Sequence, residues 1–380
     1  MSLTRLRVCY FGTYRAAYSR NMIMIDGLRR NGVEVVECHT ELWHGIEDRV
    51  QVASGGWVSP SFLLRLLRAA QQLLRHYRRI GDYDVMVLGY PGQLDVPLAR
   101  VLTWLRRKPL VLDIFMSIYL IALERGLTAR SPLTGHLIRR LEGLACRLPD
   151  LLILDTAEYA RWFQETYHLA PARFRLVPTG ADDRTFYPLP AEQRDNDCFR
   201  VLYAGTFIPN HGVEAIIEAA RILRDETDIH FELAGDGPTR PRAMELAQEY
   251  KLTNVTFTGW LDRQSLSRQV AKADVCLGAF GTTPQSMMTV QNKIYEALAM
   301  RKCVVTGRSD TVSRVLTHGH HVWLCERASG ESLAQAIWSL RQSPDLCRNL
   351  AEHGYQLFAE QFATAALGKQ FLQALESLSA

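Results

Sequence analysis

The feature that most constrains this chain is the regular return of short apolar runs between stretches of helical period. Parallel sheets covered by helices on both faces demand that alternation, because each crossover helix buries the strands beneath it. In the first half the runs are RVCYFG, VEVVEC, YDVMVLGY, PLVLDIF, DLLILD and FRLVP. In the second they are FRVLYAG, IHFELAG, NVTFTG, DVCLGAF, KCVVTG and HVWLCE. Six strands in each half predict an α/β chain of two doubly wound, Rossmann-like domains. A length of 380 residues, too great for one ordinary core, agrees with two.

The stretch 177–198, VPTGADDRTFYPLPAEQRDNDC, is dense in Pro, Gly and Asp and marks the boundary. The expected division is a first domain over 1–180, a linker over 181–199, a second domain over 200–360 and a terminal helix over 361–380. That helix keeps Leu367, Phe371, Leu375 and Leu378 on one face and is expected to pack back toward the first domain. Open parallel sheets bind ligands beyond the carboxyl ends of their strands. Two such domains facing across a cleft would aim two sets of helix N-termini at an anionic ligand.

Composition narrows the class. A 47% hydrophobic and 22% charged chain is globular rather than disordered. The cysteines, Cys9, Cys38, Cys146, Cys198, Cys276, Cys303, Cys325 and Cys347, form no C-x-x-C pair and fall mostly in apolar strands and helices. They read as reduced core residues of a cytoplasmic protein, not as a disulfide framework or a zinc site. MSLTRLRVCYFG enters a strand pattern directly, without the apolar block of a signal peptide. No apolar run approaches the roughly 18 residues of a membrane span.

Charge is uneven. Residues 1–190 hold 25 Lys/Arg against 18 Asp/Glu, and residues 51–150 alone hold 14 against 7. In PSFLLRLLRAAQQLLRHYRR, Arg65, Arg68, Arg75 and Arg79 share a helix face beside many leucines, and PLARVLTWLRRK repeats the pattern around Trp104. This fits either a helix lying on an anionic membrane or an ordinary amphipathic helix with its leucines in the core. The patch lacks a recognisable nucleic-acid module, so no nucleic-acid partner is expected.

Four loops leave strand ends in the second half: Gly205 to Gly212, the LAGDGPTR turn with Gly235 and Gly237, Gly259-Trp260-Leu261, and the long stretch that enters a helix at Asn292-Lys293. As an ordered series, AGTF…HGVEAIIEAA, LAGDGP, NVTFTGW, ADVCLGAF and the K-x-x-E-A-L-A-M-x-K-x-V-V segment resemble the nucleotide-sugar half of a family 4 retaining glycosyltransferase, the group 1 type with the GT-B fold. The resemblance covers about residues 200–345. VPTGADDRTFYP resembles the family's linker, and the first half matches it loosely.

The resemblance implies a nucleotide-diphosphate sugar as donor substrate and no separate cofactor or bound metal, so Asp195-Asn196-Asp197, formally D-x-D, reads as solvated linker. Glu296 matches the second glutamate of the family's E-x7-E motif, which holds the ribose hydroxyls; Met288 stands at the first. Backbone amides around Val290, Gln291 and Asn292 would meet the diphosphate, with Lys293 adding a permanent charge. Gly205 and Thr206 belong to the same phosphate-side loop. Trp260 would contact the base or, equally, sit in the core. Where the family commonly has Lys, this chain has His211, expected to donate to the diphosphate and to gain a proton as the anion binds.

In the first half Gly12 and Thr13 allow close backbone approach to a ligand, and Arg15 and Arg20 are either anion or acceptor contacts or surface charges. Asp113 ends a strand near the family's sugar-facing histidine, and Tyr119 is an acceptor-side candidate or a local packing residue. The expected activity is sugar transfer to a glycan or lipid-linked acceptor at a membrane surface. Two rivals stand beside it: a nucleotide-sugar-binding protein without transfer, and a nucleotide-sugar epimerase of the same fold.

Overall fold

The computed structural model describes residues 6–42, 60–190 and 198–378, so Asp195-Asn196-Asp197 lie outside the described residues. The first sheet holds β1 (Arg7–Gly12), β2 (Glu34–His39), β3 (Val85–Leu88), β4 (Leu110–Asp113), β5 (Leu151–Leu154) and β6 (Phe174–Leu176). The second holds β7 (Phe199–Ala204), β8 (Ile229–Ala234), β9 (Val255–Thr258), β10 (Val275–Leu277), β11 (Cys303–Gly307) and β12 (Trp323–Cys325). Each strand falls on one of the twelve apolar runs. The orders are β2-β1-β3-β4-β5-β6 and β12-β11-β10-β7-β8-β9, and the pairings are parallel.

The central strands are short and apolar because helices cover them on both sides. In VMVL, LVLD and LLIL every residue is buried, Asp113 included. The edge strand β2 is less covered: Val35 and Cys38, on opposite faces, are buried, while Glu34 and Glu37 are exposed. In the second sheet, Val201, Tyr203, Phe231, Leu233, Val275 and Val305 pack with Ile216, Ile217 and Ile337 of flanking helices.

The chain divides into two compact units. One runs to Pro178 and takes back the residues from Thr364 onward; the other is Thr179–Ala363. The returning helix Thr364–Glu376 buries Leu367, Phe371 and Leu375. It crosses helix Ser19–Arg30 where Gly27 and Gly368 touch: a Cβ on Gly368 would stand 2.1 Å from the Gly27 carbonyl oxygen. No described helix is long and apolar enough to cross a membrane.

This glycine contact admits no side chain. Gly368→Leu is expected to destabilise the first unit by about 1–3 kcal/mol through overpacking, while Lys369→Leu, one residue on and exposed, should stay within about 0.5 kcal/mol. Urea unfolding of both variants measures the difference.

Candidate functional site

In each sheet the connections reverse direction once, between β1 and β3 and between β7 and β10. Loops on either side of such a reversal diverge and leave a crevice at the carboxyl ends of the strands. The sequence places its richest loops at these two points.

At the second reversal the loops after β7 and β10 are stitched together. Phe280 N donates to the His211 oxygen at 2.9 Å, and Gly212 and Gly281 are so close that a Cβ on Gly212 would stand 2.5 Å from the Gly281 nitrogen. Ser286 Oγ donates to the Asn210 carbonyl at 2.6 Å and receives Arg327 Nη1 at 2.9 Å, which also reaches the Gly281 carbonyl at 2.6 Å. Burial pushes Arg327 down to about 10. This arginine, just past β12, escaped the sequence reading because nothing around it forms a motif.

Helix Asn292–Ala299 starts beside these loops. Gln291, extended, precedes it and supplies no side-chain cap, so the first-turn amides are not closed off by a side chain. The Asn292 side chain is engaged, its Oδ1 accepting from Thr179 Oγ1 at 3.0 Å, and Val290 is buried. Lys293 extends back over Tyr203, its Nζ 3.9 Å from the ring centroid and 3.3 Å from His211 Nδ1. Gly205, at φ +154°, makes room: a Cβ there would stand 2.5 Å from Nζ. Tyr203 thus carries the lysine on its ring. In the sequence it reads only as a strand residue.

His211 differs from its expected role. Its Nδ1 lies 2.6 Å from the Thr206 carbonyl, which can only accept, so Nδ1 bears the proton and donates. The Tyr203 hydroxyl donates to the same carbonyl at 2.9 Å. Burial and then the Lys293 charge hold the imidazole well below its usual range, with the bond to Thr206 opposing. Protonating it would set two cations 3.3 Å apart. The histidine therefore braces the loop in neutral form, and the cation of the site is Lys293. That lysine is not the permanent charge expected of it, because burial lowers it to about 7.

One turn along the helix, burial raises Glu296 to about 7, while Arg263 and Lys293 pull it back. Arg263 is also paired to Asp182 at 3.2 Å. Lys293 and Glu296 are thus two opposite groups poised to change charge near neutrality. Met288, at the place of the motif's first glutamate, is half-buried at the end of the short helix Pro284–Met288. Gly235 and Gly237 serve packing: a Cβ on either would strike the backbone of the β7 loop, at Gly205 and Phe207. Trp260 is 59% exposed, outside the core.

At the first reversal, Gly12 and Thr13 are braced by Asp95, whose Oδ2 accepts from the Thr13 amide at 2.7 Å and its hydroxyl at 3.0 Å. Burial raises Asp95 to about 6, against the two bonds from Thr13. The buried Asn21 side chain ties the same loops, donating to the carbonyls of Arg15 and Tyr90 and accepting from the Tyr90 amide. Arg15 is half-buried against Tyr18, and Tyr119 is half-buried with Arg139 over its ring.

Arg20 and Asp113 are a different matter. Their side chains are 0% exposed and pair at 2.8 Å, and Arg20 Nη1 donates to the carbonyls of Val177 and Pro178. Burial opposes the charge on Arg20, yet Asp113 raises it above its ordinary value. Neither side chain reaches a surface, which corrects their expected contacts with sugar, anion or acceptor. The pair ties helix Ser19–Arg30, β4 and the segment after β6.

Residues 198–343 match the family model for group 1 glycosyl transferases. Among curated relatives, alpha-D-kanosaminyltransferase of Streptomyces kanamyceticus is 28% identical over 172 residues, 45% of this chain and 43% of that protein. The lipopolysaccharide core biosynthesis glycosyltransferase LpsD of Rhizobium meliloti is 26% identical over 181 residues, 47% of this chain and 50% of that one. The chain thus spans about half the length of these relatives. Among solved structures, sucrose-phosphate synthase from Thermosynechococcus elongatus superposes with a TM-score of 0.71 at 17% identity, over 98% of this chain and 99% of that chain. HepE from Anabaena, solved in complex with UDP and glucose, gives 0.67 at 14% identity, over 98% and 99%. The fold is GT-B.

The buried ion pair separates structure from binding. Arg20→Ala leaves Asp113 uncompensated and is expected to cost about 3–5 kcal/mol. Arg20→Met with Asp113→Leu should recover most of that loss, which urea denaturation of the two variants reads directly.

Proposed function

We propose that this chain is a nucleotide-sugar-dependent glycosyltransferase of family 4, retaining and hexosyl-transferring, with its donor site at the second reversal. The observation that carries the reading is Lys293, held by Tyr203 and Gly205 at the N-terminal turn of helix Asn292–Ala299, one turn before Glu296. Amide dipoles and an ammonium suit a diphosphate, and a carboxylate suits the two ribose hydroxyls. The match of residues 198–343 to the group 1 model covers this same region.

In this mechanism the enzyme positions groups and stabilises charge. As the glycosidic bond breaks, negative charge grows on the departing diphosphate, and Lys293 with the first-turn amides receives it. A diphosphate oxygen takes the acceptor proton, so no dedicated carboxylate pair is needed and no bound metal is called on. His211, neutral, keeps the loop shaped around Lys293. The acceptor is a glycan or lipid-linked precursor at a membrane surface. LpsD, whose name ties it to the lipopolysaccharide core, is a relative in keeping with such an acceptor.

Met288 at the first glutamate position favours one alternative, a nucleotide-sugar-binding protein without transfer. The two readings part when purified protein is incubated with UDP-, GDP- and ADP-sugars, with and without lipid-linked acceptors. Transfer predicts acceptor-dependent nucleotide release; saturable binding with no release on any acceptor overturns it.

Nucleotide affinity should peak near pH 7. Above that, Lys293 is neutral and must take up a proton as the diphosphate arrives, so affinity falls with rising pH. Below it, Glu296 is protonated and must lose its proton to accept the ribose hydroxyls, so affinity falls with falling pH. Each limb approaches about tenfold per pH unit for one coupled proton. In titration calorimetry Lys293→Met is expected to remove the alkaline limb and Glu296→Gln the acid one, and Glu296→Ala to weaken binding at every pH. An affinity independent of pH in wild type would remove both assignments.

A further inference from the structure

The connections β2 to β3, β3 to β4 and β4 to β5 all step the same way across the first sheet. Right-handed crossovers therefore put their helices on one face. Three of these are Pro60–Tyr77, Val96–Arg106 and Pro132–Arg147. Arg106 of the second stacks on Tyr77 of the first at 4.6 Å, and Arg100 of the second pairs with Asp150, just past the third, at 2.7 Å.

The outer surface of these helices has an unusual chemistry. On Pro132–Arg147 the leucines at 133, 137, 141 and 144 form a stripe that faces out, with Leu133 86% exposed. Its inner side is Gly135, Ile138, Ala145 and Cys146. Trp104 and Leu105 are 61% and 77% exposed on the neighbouring helix, and Leu67 is 62% exposed on the next. Together the three helices contain eight arginines and a single acid, Glu142. That glutamate is buried, accepting from Ser117 Oγ, Tyr167 OH and the Ile118 amide. The helices therefore present arginines and large apolar side chains to solvent with no carboxylate of their own among them.

We propose that this face is a docking surface for an anionic lipid bilayer, with Leu133, Leu137, Leu141, Trp104 and Leu105 entering the headgroup boundary and the arginines meeting lipid phosphates. It deepens the acceptor half of the proposed function and rests on that reading for its purpose. Apolar side chains set among cations suit an interface that is both greasy and negative. A second copy of the chain fits poorly, because a two-fold contact would press the same arginines against themselves. Nucleic acid would match the charge but leave the leucine stripe without a partner.

The test is flotation of the whole protein with vesicles of phosphatidylcholine alone and of phosphatidylcholine mixed with phosphatidylglycerol. Recovery is expected with the mixed vesicles only and should fall as salt rises. Leu133→Ser with Leu137→Ser and Leu141→Ser, Arg68→Glu with Arg140→Glu, and Trp104→Ser with Leu105→Ser should each lower recovery about tenfold. Their unfolding transitions and nucleotide affinity should match wild type, since the positions are exposed and lie in the other unit from Lys293 and Glu296. Equal recovery on both vesicles, or wild-type recovery in all three variants, overturns the proposal. So does a dimer in lipid-free solution that the leucine variant dissociates, or bound RNA that the arginine variant releases. Flotation that persists in a protein with no nucleotide affinity would count against the donor site and leave this surface standing.

Discussion

Much of the second unit's chemistry depends on one backbone hydrogen bond, from Phe280 N to the His211 carbonyl. It joins the loops that leave the adjacent strands β7 and β10, whose connections run in opposite directions. With the loops held there, Gly205 lies against Lys293, Thr206 receives both His211 and Tyr203, and helix Asn292–Ala299 starts close enough to share the same small volume. The glycines at 212 and 281 are needed because the two backbones touch.

The two units handle buried charge in opposite ways. In the first, Arg20 and Asp113 neutralise each other at 2.8 Å, and two backbone carbonyls take further donors of the guanidinium. Such a pair is fixed: it holds parts of the fold and has no capacity left for a ligand. In the second, Lys293 and Glu296 are partly buried and make no ion pair of that kind among the described residues, and loss of solvent moves both toward neutrality. Groups near their titration point respond strongly to a new neighbour, which is what a binding site needs and a core does not.

The fold was legible because parallel strands buried on both faces must be apolar throughout, and no other element of this chain repeats that signature twelve times. Loop chemistry was legible in part. Lys293 and Glu296 follow a strand end and open a helix, so their neighbourhood could be read from order alone. Contacts made across the fold could not: Asp95 under Thr13, Asn21 bridging two loops and Tyr203 beneath Lys293 come from positions with no local pattern. Arg20 and Asp113 read as ligand contacts because one lies in the stretch that follows β1 and the other ends β4, while their mutual distance is a tertiary fact. The leucines at 133, 137, 141 and 144 show a further limit. Helical spacing tells which residues share a face, but not whether protein or solvent lies against it.

The return of the chain to its first unit has a consequence for synthesis. Helix Thr364–Glu376 completes the packing around Gly27, so this unit closes only after the 179–363 segment has been made. The intervening 179–363 segment is continuous and can mature as soon as it emerges. Until that helix arrives, the face of Ser19–Arg30 that holds Gly27 waits uncovered. Packing of the first unit thereby depends on a helix that is made only after the second unit.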